Sequence, residues 1–199
     1  MRAWFLLRQL ELAFEEIPLE LDTPAFATAI AQHSPAARVP VLIDGACHVW
    51  DSLAIAEYVN ELVGGRGWPA SPATRARARS LSAEMHSGFA ALRAQWPFAA
   101  ACVGGTNTLD VVARTDLHRI ESIWSECRER HAQDGPWLFG HFSITDAMYA
   151  PVALRCRTYG SRLAAPAQQY VAMVVDNPHV LDWIRGAERE LAAADGRPG

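Results

Sequence analysis

The chain has 199 residues, half of them hydrophobic and a fifth charged, with a formal net charge of −4. That is the make-up of an ordinary globular protein, and without a basic run it argues against nucleic acid and anionic membrane surfaces as partners. Every basic residue other than histidine is arginine, which excludes a Schiff-base lysine and a lysine-bearing phosphate loop.

Residues 2–12 place Trp4, Phe5, Leu6, Leu7, Leu10 and Leu12 around most of a helix's circumference, which predicts a helix buried on most sides. Arg8 and Glu11 interrupt it and no small-residue cleavage site follows, so it does not read as a signal peptide. No apolar run approaches the ~18 residues that span a bilayer. Residues 14–21 alternate imperfectly through Phe14, Ile17, Leu19 and Leu21 and predict a strand, with Pro18 marking an edge or an early end. Thr23-Pro24 opens a short helix that runs to about residue 32, where Ser34-Pro35 breaks it. Val41 to Ile43, the Asp44-Gly45 turn pair and a return run predict a hairpin over 41–50. Asp51 or Ser52 then falls at the N-cap of a helix whose Ile55, Tyr58, Val59 and Leu62 share one face.

Residues 64–69, with Pro72 after them, read as a linker, since the glycines lack GxGxxG spacing after a strand. From Thr74 onward the pattern is helical. A long helix is predicted over 75–101, with Leu81, Met85, Phe89, Leu92 and Trp96 on one stripe. A turn at 104–107 leads to a helix over 109–133 that ends at Asp134-Gly135-Pro136. Ser143 with Asp146 forms a capping box, with Phe142 placed as a hydrophobic staple. Two further helices are predicted at 165–176 and 178–193. Cys47, Cys102, Cys127 and Cys156 form no CxxC pair, which argues against a zinc site or disulfide scaffold and fits a reducing cytoplasm. Cys47 and His48 are strand neighbours facing opposite ways and do not form a nucleophile pair.

Two stretches carry a family resemblance. Arg38-Val39-Pro40-Val41-Leu42, then Asp44-Gly45, then Trp50-Asp51-Ser52-Leu53-Ala54-Ile55 with Glu57-Tyr58, resembles the glutathione-binding half of a glutathione S-transferase. Gly140, Ser143 and Asp146 are spaced as in the element that starts the core helix of that family's helical domain. The resemblance implies an α+β fold: a thioredoxin-like domain over 1–64, a linker over 65–73 and an all-helical domain over 74–199. In the family a strand and a loop bearing the catalytic Tyr, Ser or Cys precede the first helix. Here that helix starts right after Met1, so the thioredoxin-like domain is expected to lack its first strand, as in an N-terminally truncated chain, and no catalytic residue is assigned.

The remaining site residues follow from the same resemblance. It implies that Val39 clamps the cysteinyl backbone of glutathione as an added strand and that Pro40 is a cis-proline. Asp51, where most members carry Glu, and Ser52 would hold the γ-glutamyl end. Thiolate stabilisation would draw on the first helix's dipole, with Arg2 or the Met1 amino group adding positive charge. Met85, His86, Phe89 and Trp96 are candidates for the wall against a small apolar electrophile, although the three apolar ones fit a helix-packing stripe equally well. The expected protein is a cytoplasmic homodimer that uses glutathione as co-substrate and no metal. Two alternatives stay open: a binding module without catalysis, and a glutathione-dependent isomerase of the maleylacetoacetate type.

Overall fold

The computed structural model describes residues 1–21 and 23–194; the last five residues of the expected helical domain lie outside them. Helix α1 (Arg2–Gln9) ends earlier than its apolar run suggests, because Glu11 takes a left-handed backbone just beyond the Leu10 cap. Phe5 and Leu6 are fully buried, and α1 packs on the helices at Ser52–Leu62, Ile144–Tyr159 and Pro178–Ala194.

Residues 14–21 are not a strand. A strand needs a neighbour to satisfy its backbone groups, and among the described residues the sheet has two strands only, paired with each other. The segment is held to α1 by side chains instead. Trp4 Nε1 donates to Glu16 (2.7 Å), and the Trp4 ring meets Phe14 edge-on.

Thr23 caps α2 (Pro24–Ala31) by accepting from the Phe26 N–H. Strands β1 (Leu42–Asp44) and β2 (Cys47–Val49) form the expected hairpin, with Leu42 opposite Val49. Gly45 has φ of 58°, as the turn requires. The Tyr58 hydroxyl donates to Asp44 (2.8 Å) and ties the turn to α3 (Ser52–Leu62). That bond pushes the Tyr58 phenol up to about 12.

The helix expected over 75–101 is two helices, α4 (Pro72–Ser87) and α5 (Ala90–Gln95). Gly88 is extended and Phe89 is left-handed between them, and Asp116 accepts from the Leu92 N–H to secure the new helix start. Helix α6 (Val111–His131) begins two residues later than expected because Asp110 caps it. A 3-10 turn (Ala132–Asp134) closes it.

Helix α7 (Ile144–Tyr159) is the axis of the helical part, with every residue buried except Pro151, Arg157 and Tyr159. Its capping box is formed on both sides. Helices α8 (Ala165–Val175) and α9 (Pro178–Ala194) complete the chain's described part. None of the described helices is long and apolar enough to cross a membrane.

The loop before α7 is closed by a tight approach. Gly135 has φ of 138°, and a Cβ there would collide with the Gly140 carbonyl oxygen, which accepts from the Trp137 N–H. Gly135→Ala is therefore expected to cost about 2–3 kcal/mol, since strain and a backbone clash combine. Thermal unfolding checks it; a melting temperature equal to that of the unaltered chain would contradict it.

Candidate functional site at the α3 N-terminus

The Val39–Pro40 peptide is cis, as is Trp50–Asp51. Val39 is 47% exposed, and among the described residues its main-chain N–H and C=O have no main-chain partner. It lies just ahead of the hairpin, on the side where the chain re-enters through Trp50 into α3.

Asp51 is the N-cap of α3. One carboxylate oxygen accepts from the Leu53 N–H (2.9 Å) and the Ala54 N–H (3.4 Å). Its other oxygen sits 2.9 Å from His86 Nε2 on α4, which joins the hairpin half to the helical half. Ser52 follows at the first helical position, mostly buried, and among the described residues its N–H and hydroxyl have no hydrogen-bond partner. The positive end of the α3 dipole therefore presents one N–H, one hydroxyl and one carboxylate side by side. That trio suits an α-amino acid head group: the N–H and hydroxyl for its carboxylate, Asp51 for its ammonium.

The expected apolar wall is not arranged as such. Met85 and Leu92 are fully buried, Phe89 is 8% and Trp96 5% exposed, all within one core cluster. Trp96 donates to the Asn107 carbonyl (3.0 Å) and stacks on Tyr159 at 5.0 Å. Helix packing claims these three faces, and of the four candidates only His86 keeps substantial exposure, with Asp51 rather than a ligand as its partner. Among the described residues its Nδ1 is buried without a partner.

Sequence reasoning anticipated Arg2 at this site but missed Arg93 and Arg155. Arg2 Nε donates to the Met148 carbonyl on α7 (3.1 Å). Burial, then repulsion from Arg93 and Arg155, brings Arg2 down to about 10, with Asp51 acting in the opposite sense; Arg2 is cationic at neutral pH. The Met1 amino group is brought down to about 5, chiefly by burial, and is neutral there. Of the two expected sources of positive charge, only Arg2 supplies it. Arg93 and Arg155 stand on helices far apart in the chain, so no local pattern could have grouped them. The buried thiols of Cys127 and Cys156 are each pushed up to about 11 by burial and are not nucleophiles at neutral pH.

Residues 1–62 match the family model described as the glutathione S-transferase N-terminal domain, and residues 72–186 match that of the glutathione S-transferase C-terminal domain. The chain belongs to the glutathione S-transferase family, with a small thioredoxin-like part followed by a helical one. A stretch of 59 residues is 37% identical to dichloromethane dehalogenase from Methylorubrum extorquens, and that alignment covers 26% of this chain and 20% of the relative. Among solved structures, a glutathione transferase homolog from Burkholderia gl BGR1, with bound glutathione, superposes with a TM-score of 0.69 at 23% identity. It covers 94% of this chain and 90% of that one. Glutathione S-transferase 1-6 from Anopheles dirus species B gives a TM-score of 0.76 at 14% identity, covering 97% of this chain and 93% of that one. Identities this low speak to the fold alone.

Proposed function

We propose that this protein binds glutathione with its main chain along Val39 and its γ-glutamyl head at Asp51 and Ser52, and transfers the thiolate to an electrophilic carbon. The observation that carries this reading is the trio at the α3 N-terminus, where the Ser52 N–H and hydroxyl stand beside an exposed carboxylate whose Oδ1 serves the helix cap and whose Oδ2 faces His86. In the transfer, the sulfur–carbon bond forms as the bond to the leaving group breaks. The leaving group departs with the electron pair, and the thiol proton goes to solvent. A free thiol has a pKa near ~8.5; the α1 N-terminus and the Arg2 guanidinium favour the anion at neutral pH.

Calorimetric titration with glutathione, followed by conjugation of chlorodinitrobenzene, tests the proposal. Saturable binding with turnover supports it. Binding without turnover points to the non-catalytic module, and an absence of saturable binding overturns the site. Ser52→Ala removes a hydroxyl that would meet a ligand carboxylate, so affinity for glutathione is expected to fall roughly tenfold, as for one hydrogen bond to a charged group. An unchanged dissociation constant would place the head group elsewhere.

A further inference from the structure

Three guanidinium groups gather where α1, the end of α5 and the middle of α7 meet. Arg2 holds the Met148 carbonyl. Arg155, two turns further along α7, donates to the Trp96 carbonyl (2.6 Å) at the cap of α5 and to the Pro151 carbonyl (3.2 Å). Its guanidinium also lies over the Phe98 ring at 5.3 Å. Arg93 on α5 donates to the Gly88 carbonyl (2.7 Å), two residues from the histidine that pairs with Asp51. All four of these acceptors are main-chain carbonyls, which satisfy donors without neutralising charge.

No carboxylate lies within 4.0 Å of Arg2, Arg93 or Arg155 among the described residues. The acid whose field reaches Arg2 is Asp51, and its oxygens are already engaged by two N–H groups and His86. Arg155 is 9% exposed. Bringing like charges together in a partly buried place is costly unless an anion compensates them. The repulsion is visible in the arginines themselves: Arg93 lowers both Arg2 and Arg155, after burial as the larger cause. Elsewhere the chain uses its arginines both ways: Arg77, Arg79 and Arg119 pair with Glu126, Glu57 and Glu84, whereas Arg75, Arg114 and Arg157 donate to main-chain carbonyls. What sets Arg2, Arg93 and Arg155 apart is that three such cations stand together, with Arg2 and Arg155 on carbonyls three residues apart on α7, beside the proposed glutathione head-group site.

We infer that Arg2, Arg93 and Arg155 seat an anionic group, a carboxylate or a group of like geometry, carried by the electrophile that glutathione attacks. The planar fork of arginine suits a carboxylate. The burial of Met85, Phe89 and Trp96 removes the apolar wall that would favour an uncharged molecule. The inference rests on the proposed glutathione site and refines it by naming the class of second substrate.

The test compares chloronitrobenzoate with its methyl ester, each titrated into the 199-residue chain, with glutathione titrated separately. The acid is expected to bind at least about tenfold more tightly than the ester, in line with charge-assisted hydrogen bonds. Arg93→Gln is expected to erase that preference while the ester and glutathione affinities hold. Equal affinities for acid and ester in the unaltered chain overturn the inference without any variant having to fold. It also falls if Arg93→Gln weakens glutathione as much as the acid, since the cluster would then serve glutathione itself. Failure of glutathione to bind while the acid preference and its loss in Arg93→Gln persist sinks the glutathione site and upholds the anion seat.

Discussion

Asp51→Ala is expected to weaken glutathione binding by roughly tenfold to a hundredfold, the range for losing a hydrogen bond to a charged group. It is also expected to lower fold stability by about 1 kcal/mol, the usual cost of losing an N-cap. The two effects come from different oxygens. Oδ1 holds the Leu53 and Ala54 N–H groups, whereas Oδ2 faces His86 and, in the proposed complex, the ammonium of the γ-glutamyl head. Asp51→Asn separates them. An asparagine still caps a helix through its carbonyl oxygen, so stability should stay within about 0.5 kcal/mol, while the charge that attracts the ammonium is gone. Calorimetry for affinity and thermal unfolding for stability give the two readouts. If Asp51→Asn binds glutathione as well as the unaltered chain does, the carboxylate has no part in recognition, and its role is confined to the cap.

The other large effect belongs to the buried carboxylate of Asp146. It accepts from the Leu138 N–H (3.0 Å), the Ser143 N–H and hydroxyl (both 2.9 Å) and the Tyr170 hydroxyl (3.1 Å). It thereby fastens the loop before α7, the α7 N-terminus and α8 at one point. Asp146→Asn replaces one accepting oxygen with a donor, leaving two of these partners facing an N–H group. A loss of about 3 kcal/mol at neutral pH is expected, from unpaired buried donors at ~1–3 kcal/mol each. That corresponds to a melting temperature lower by roughly 6–12 °C for a chain of this size.

The pH dependence of the loss has a definite sign. Burial, acting against the four donors, raises Asp146 from 3.8 to about 6. The folded state therefore binds this proton more tightly than the unfolded chain does. The stability it contributes is fully present below the unfolded value and is lost as pH rises through about 6. The deficit of Asp146→Asn should thus be larger near pH 4 than at pH 7, by roughly 3 kcal/mol for a shift of about two units. A deficit that grows as pH rises would mean that the four donors outweigh burial and that the carboxylate is depressed in the fold.

The elements legible in the sequence were those written in short-range chemistry. The hairpin at Asp44-Gly45, the Asp51 cap with its amphipathic helix and the Ser143–Asp146 capping box each depend on residues within a few positions of one another. Turn type, cap geometry and helix face are decided at that range, so a single chain carries them without alignment. The motif that signalled the family is likewise a run of such local features, and the two family models cover the regions in which those runs lie. Misreadings arose where a local pattern needed a distant partner. Residues 14–21 alternate as a strand would, yet among the described residues no neighbour pairs with them, and Trp4 draws Glu16 and Phe14 to itself. The 75–101 stripe continues through Gly88 on paper, but the Asp116 contact from α6 secures a separate α5.

Through the family resemblance of its motifs, the sequence by itself determined that this is a thioredoxin-like part followed by a helical one. Caps and periodicity, which are properties of adjacent residues, located the starts of α1, α2, α3, α7, α8 and α9, whereas α4 and α6 begin elsewhere than expected and α5 was not foreseen. Only the tertiary structure decided the character of the site. It turned Met85, Phe89 and Trp96 into the core, brought His86 to Asp51, and set Arg2 on Met148, 146 residues away along the chain, and Arg155 on Trp96, 59 residues away. Burial and charge proximity are sums over neighbours that chain order does not specify, so they exist only once α1, α5 and α7 are packed together.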